Sequence, residues 1–351
     1  MEAEQLFLFK LSLGFVAIAV FFVVLVFTKR FIKIWRDQEK EWFLKKIVPL
    51  IGSMVIVKRN RLEWRRDIKL LVSLIGRNHA KQQIAIDHLM HLKSNLEGES
   101  AGLIFQLYRD LNLVEFSRNK LRQTNWTKQT EGVRELASMN CYFVNVFSSL
   151  LQKTKQVTLR NELIVAMTWL DKKEPFRSFR LINFELTDWL KLNIYDQLKK
   201  YNRVDLPDFS PWICHERQEV ATFFIWLAKT FNQTSSSNAI AHALSGAKTV
   251  ANAALDSLIE MRNFSYTQKV EAMISNHWIC PDTSLLILCY LEGTDKNNFV
   301  QILIDRFRFH PYESVMQKAD RLRSTYFEKE NTNQILATST YTNALHYGNA
   351  R

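Results

Sequence analysis

Residues 6–28 read LFLFKLSLGFVAIAVFFVVLVFT, and the stretch Leu11–Phe27 within them carries no charge and Ser12 as its one polar side chain. Twenty-three residues of this kind exceed the ~20 that a helix needs to cross the hydrocarbon core of a bilayer. Lys10 lies close enough to the start for its stem to run out to the headgroups. The opening Met-Glu-Ala-Glu and the exit Val-Phe-Thr-Lys-Arg lack the basic start and small-residue cleavage site of a signal peptide. The expectation is a retained transmembrane helix over 6–28, after a short segment 1–5, with Leu11, Phe15, Phe21, Phe22 and Phe27 in its apolar surface.

The flanks orient that span. Residues 29–69 hold thirteen Lys/Arg against five Asp/Glu, so +8 of the net +12 sits there, beginning with Lys29, Arg30, Lys33 and Arg36. A basic excess just beyond a span marks the cytoplasmic side. The C-terminal domain is therefore expected in the cytoplasm, which suits four scattered cysteines without a CxxC. In a basic juxtamembrane segment, 29–59, each cation near anionic headgroups contributes about 1 kcal/mol. Trp35 and Trp42 interleave with these charges as in an interfacial segment. Lipid accounts for the cluster without nucleic acid, and residues 70–351 carry only +5, residues 1–28 being −1. A second apolar run, Ile47–Val57, contains Pro49 and Gly52 and is too short to cross. It is expected to pack on the first helices or lie at the interface.

Beyond Asn60 the apolar residues recur at helical spacing. Leu159, Leu163, Ala166 and Leu170 step by 4, 3 and 4, and so do Val220, Phe224, Leu227 and Phe231, and Val315, Ala319, Leu322 and Tyr326. Nine glycines and six prolines in 351 residues are too few for the regular turns of a β-sandwich, barrel or propeller. The reading is all-α. Breaks fall at Asn95–Glu99 (with Ser117 read as a cap for a later helix), Asp171–Pro175, Pro207–Pro211, Asn232–Asn238, Pro281 and Pro311, and residues 331–351 form a polar tail. Taking Val220, Val250, Leu285 and Val315 as equivalent helix starts, Phe224, Ala254, Cys289 and Ala319 follow four positions later, small in three cases of four. Units of this size are helical pairs that must stack to bury their apolar faces.

Residues 95–139 resemble the N-terminal part of bacterial membrane-anchored HEAT-repeat (armadillo-like) proteins. The matching elements are Leu107-Tyr108, Leu111–Leu113, Ser117, Lys120-Leu121, Trp126, Lys128 and Gly132–Met139. Leu159–Leu170, with Arg160, is similar to a HEAT second helix. Leu181–Trp212 is similar to the same family through Leu186-Thr187, Trp189, Pro207–Phe209 and Trp212. The resemblance implies a HEAT-like α-solenoid over 60–330 behind a single-pass anchor in the bacterial inner (cytoplasmic) membrane. It also implies a partner among membrane glycosyltransferases of envelope polysaccharide synthesis, or their regulators. Beyond Ser235 the pattern departs: the Val-Arg pair that opens the second helix is replaced by Ala247-Lys248 and then Ser284-Leu285.

Chemical motifs are sparse. His277, Cys280 and Cys289 fall short of the three or four convergent ligands of a zinc site. His88 and His91 share a helical face without an HExxH pattern, and Cys214-His215 are neighbours along the chain, where nucleophile and base rarely pair. No phosphate-binding or nucleophile-elbow motif occurs. The sequence therefore reads as a non-enzymatic scaffold without a cofactor, tethered to a bilayer and binding a protein partner through exposed aromatics, with Trp126, Trp189 and Trp212 as candidates. The rival is an enzyme with a metal-dependent site at His277 and Cys280.

Overall fold

A computed structural model describes residues 2–56, 60–96, 98–201, 205–277, 280–295 and 297–325 of the chain, and within these leaves out the side chains of 2–13, 16, 17, 19, 276 and 277. The Leu11 and His277 side chains and the tail 331–351 lie outside this description. Among the described residues the protein is all-helical, without strands. The chain forms two compact units, Met1–Ser178 and Phe179–Arg351.

Unit 1 opens with α1 (Glu2–Ile56), 55 residues of unbroken helix that carry Pro49 inside. Its described side chains up to Trp42 are exposed, including Phe15, Phe21, Phe22, Phe27, Phe31 and Trp35. From Phe43 onward one face is buried: Phe43, Ile47, Ile51 and Met54, stepping by 4, 4 and 3. That face packs on α2 (Arg61–Ile75), α3 (His79–Asn95) and α4 (Glu99–Asp110). The run from Ile47 therefore docks on the first helices of the body. Among the described residues no helix is long and apolar enough to cross a membrane, and roughly the first half of the apolar stretch has no described side chains.

The rest of unit 1 is hairpins: α5 (Leu113–Leu121) against α6 (Trp126–Ser138), and α7 (Val144–Lys153) against α8 (Val157–Leu170), with α6 also on α8. The stripe Leu159, Leu163, Ala166 and Leu170 is buried as its spacing requires. Asparagines supply the sharp ends. Asn60 and Asn78 cap α2 and α3 through their side-chain oxygens. Asn140 takes the left-handed conformation after α6 (φ 52°), letting Cys141 N–H reach Leu136 O at 2.8 Å. Asparagine tolerates that conformation better than most side chains, which is how a glycine-poor chain turns so often.

Unit 2 contains α9 (Asp188–Leu198), α10 (Ser210–Ile213), α11 (Gln218–Thr230), α12 (Ser237–Ala243), α13 (Lys248–Glu260), α14 (Thr267–His277), α15 (Pro281–Gly293), α16 (Asn298–Phe307) and a further helix, α17 (313–325). α10 pairs with α11, α12 with α13 and α14 with α15, while the second helices stack in the order α11, α13, α15. Burial sets their register. Val220, Val250, Thr283 and Val315 open the buried stripes, and Phe224, Ala254, Ile287 and Ala319 follow four residues later. The equivalence drawn at Leu285 and Cys289 is thus two residues late, and Cys289 is exposed. Polar side chains disguised the true start of α15. Thr283 Oγ1 donates to Asn252 Oδ1 at 2.8 Å, and buried Ser284 pairs with His310 at 3.3 Å.

Candidate functional site

Tyr108, Ser117, Lys120 and Glu135 of unit 1 meet in a buried polar network. Gly132 lets α5 lie against α6: a Cβ there would stand 2.8 Å from Ser117 O and 3.0 Å from Lys120 Cβ. Ser117, expected as a cap, is instead in the middle of α5 and fully buried. Its hydroxyl donates to Glu135 Oε2 at 2.5 Å and accepts from Tyr108 Oη at 2.6 Å. Lys120, with its side chain 4% exposed, pairs with Glu135 at 2.5 Å and Glu131 at 2.9 Å and donates to Gln83. Gln83 Nε2 donates to Glu135 Oε1 at 2.7 Å. Burial drives the Tyr108 hydroxyl well above its ordinary pKa. Burial also opposes ionisation of Glu131, but Lys128 and Lys120 outweigh it and hold that carboxyl below its ordinary value. Nearly every polar atom of the network is thus matched, as a buried charge pair requires.

A cleft of about 350 Å³ opens beside this network, lined by Asp87, Met90, Trp126, Glu131, Arg134 and Glu135 among others. Trp126 is the first residue of α6 and 40% exposed. Arg134 holds Glu162 Oε1, 2.6 Å from its Nε. The cleft thus presents an aromatic face beside fixed carboxylates and a guanidinium.

In unit 2 a groove of about 430 Å³ lies between α9 and α11, walled by Leu192, Phe223 and Trp226 and rimmed by Asp188, Lys191 and Glu219. Leu192 is 57% exposed and Trp226 40%. The Trp226 ring is held from below: Phe223 stacks on it at 6.0 Å and Tyr195 meets it edge-on at 5.4 Å. Lys191 pairs with Asp188 at 3.1 Å along the rim. A preset aromatic plate with charges at its edge is suited to an apolar side chain on a polar peptide.

The three tryptophans singled out from the sequence have different surroundings. Trp126 lines the unit 1 cleft. Trp189 is exposed on α9 and is not among the residues lining the unit 2 groove. Trp212 is half-buried in an aromatic cluster, 5.7 Å from the Phe224 ring and 6.0 Å from that of Phe179. Leu192 and Trp226 escaped notice, although Trp226 betrays itself by lying just off the buried stripe Val220–Phe224–Leu227. The Lys120–Glu135 pair escaped notice because charged residues at core positions break the apolar pattern.

His215 Nδ1 accepts the Arg217 N–H at 3.1 Å at the start of α11, and Cys214 beside it is exposed. His88 is half-buried, and burial, helped by His91, lowers its pKa. Cys280 caps α15, and its thiol is lowered to about 7 by Lys248 first and then Thr283. Among the described residues no three His, Cys, Asp or Glu side chains converge as metal ligands.

No family model matches this chain, and no curated protein does. Among solved structures, the chain is similar to an engineered protein at 12% identity and TM-score 0.23, over 75% of this chain and 97% of that one. It is also similar to a computationally designed self-assembling cyclic homo-oligomer, at 14% identity and TM-score 0.13, over 85% and 97%. Likeness at these scores carries no argument.

Proposed function

We propose that the protein is a membrane-anchored scaffold whose HEAT-like α-solenoid body lies in the cytoplasm and grips a protein partner. The observation that carries this reading is the α9–α11 groove, where Trp226 and Leu192 stand exposed on a rigid aromatic base inside a charged rim. Stacked hairpins in each unit support the repeat architecture, since helical pairs that share buried faces build long binding surfaces. The apolar surface of α1 supports the anchor: Val20–Phe27 is exposed all round the helix, an arrangement that water does not favour and lipid does. Anchoring raises the effective concentration of a membrane-bound partner without adding contacts. An envelope polysaccharide-synthesis enzyme or its regulator is the partner that the family likeness suggests.

The test is site-specific photo-crosslinking in membranes from a probe placed at Leu192. A discrete adduct lost in Trp226→Ala, with membrane fractionation and helical circular dichroism unchanged, supports the scaffold. An adduct indifferent to Trp226 removes the groove from the reading. Stoichiometric zinc or iron in the purified protein would favour the rival metalloenzyme.

A further inference from the structure

Of the charged side chains lining the unit 1 cleft, all but one are answered by an opposite charge of the chain itself. Glu131 is held by Lys128 at 2.7 Å and by Lys120 at 2.9 Å, and Glu135 by Lys120. Arg134 directs both Nε and Nη2 to Glu162. Asp87 lines the same cleft from α3, and among the described residues no cation reaches it. Its contact is neutral: Gln83 Nε2 donates to Asp87 Oδ1 at 2.9 Å. That amide also donates to Glu135 and accepts from Lys120, so the buried network fixes Gln83 and, through it, Asp87. Asp87, Glu131, Glu135 and Glu162 thus set four carboxylates against the three cations Lys120, Lys128 and Arg134. The cleft is one positive charge short, in a chain whose net charge is +12.

The aromatic wall lacks a cation too. Trp42, Trp169 and Trp212 each have one of this chain's own cations over the ring: Lys46 at 3.7 Å, Lys172 at 4.9 Å and Arg180 at 5.9 Å. Trp126 is exposed at the first turn of α6, and among the described residues no cation lies over it. An open indole and an oriented, unneutralised carboxylate at one cleft are two halves of a site for a planar cation. Guanidinium stacks on aromatic rings and meets carboxylates as a fork, whereas an ammonium is a strongly hydrated point charge. Met90 adds an apolar side on which a methylene stem can lie. We propose that this cleft takes an arginine side chain presented by a basic segment of a protein partner. The contact deepens the scaffold reading, on which it rests for the existence of a partner, and it is made by unit 1 alone.

Fluorescence anisotropy on the full chain in nonionic detergent micelles tests this, in about 0.15 M salt so that distant charges are screened. The probe is a fluorescein-labelled peptide, Gly-Ser-Gly-Arg-Gly-Ser. Its controls carry lysine, or the uncharged isostere citrulline, in place of arginine. The arginine peptide is expected to bind about tenfold more tightly than either control. Asp87→Asn and Trp126→Ala should each weaken it roughly tenfold. Helical circular dichroism should stay unchanged in both, since both side chains are exposed. Trp226→Ala should bind the peptide like the parent chain, so failure of the α9–α11 groove and failure of this cleft are read separately. Equal binding of the citrulline or lysine peptide, no saturable binding, either cleft variant binding like the parent, or loss of binding in Trp226→Ala would overturn the proposal.

Discussion

Between α5 and α6, Gly132 allows a close approach to Ser117 O and Lys120 Cβ, and Lys120 and Glu135 pair across the two helices, with Ser117 and Tyr108 closing the chain of hydrogen bonds. At the start of unit 2 the equivalent job falls to rings. Phe224 is met by Phe179 at 5.0 Å, Phe223 at 5.6 Å, Trp212 at 5.7 Å and Phe209 at 6.1 Å. Both arrangements join helical hairpins, but they tolerate change differently. An aromatic cluster loses area and dispersion when one ring is removed, whereas a buried ion pair turns hostile when one partner goes.

The sharpest way to break the comparison is Lys120→Met. Leaving Glu135 buried without its cation should cost about 3–5 kcal/mol in urea denaturation. Lys120→Met with Glu135→Leu should recover most of that loss, since an apolar pair of similar volume avoids burying charge. A double variant as unstable as the single one would mean the network contributes more than neutralisation.

Phe224→Ala should cost a similar ~3–5 kcal/mol through cavity formation, but no second substitution of a neighbouring ring by Ala should rescue it. Rescue by a partner change is thus what separates the two regions, more than the size of either loss.

Acid sharpens the contrast further. Glu131 has a folded pKa below its ordinary 4.5, so its stabilisation is full above that value and disappears as pH falls through the depressed folded pKa. His88 and His215 also have lowered pKa values, chiefly through burial. Stability tied to them is complete above their ordinary 6.5 and declines as pH drops through the folded values. Both units should weaken below pH 6.5 in thermal melts, and His88→Gln or His215→Gln should each flatten that first slope. Below pH 4.5 a further loss should appear that Glu131→Gln removes.

The smallest expected effect concerns a turn. Arg262 follows α13 with φ 53°, where Asn140 and Asn232 sit after α6 and α11. Left-handed backbone costs a side chain about 1–2 kcal/mol, while glycine brings extra unfolded-state freedom. Arg262→Gly should therefore raise stability by ~0.5–1 kcal/mol in the same denaturation assay. Asn232→Gly should gain less, because asparagine already accepts this conformation.

Much of the fold was legible because apolar spacing responds to burial alone. The stripe in α8 and the starts of α11, α13 and α17 follow directly from it. In α15 it misled, because Thr283 and Ser284 occupy core positions through hydrogen bonds to Asn252 and His310 that lie far away in sequence. Ser117 looked like a cap for the same reason: a hydroxyl has local uses and distant ones, and only Glu135 in the next helix decides between them. Tyr108, Ser117, Lys120 and Gly132 stood out in the sequence, but nothing in their spacing said that they meet. Of the three tryptophans, spacing could not separate Trp126 in a cleft from Trp212 in the aromatic core, since both sit at short polar breaks.

By itself, then, the order of residues determined that this chain is helical, where some of its helices break, and that it contains a long apolar stretch. Those are consequences of local backbone preference and of solvent exclusion, which act along the chain. Tertiary structure decided which polar groups went inside, which aromatics stayed out, and that one helix carries the apolar stretch into the body without interruption. Those outcomes depend on partners brought together from distant positions, and pairing energies of that kind leave little trace in a periodicity.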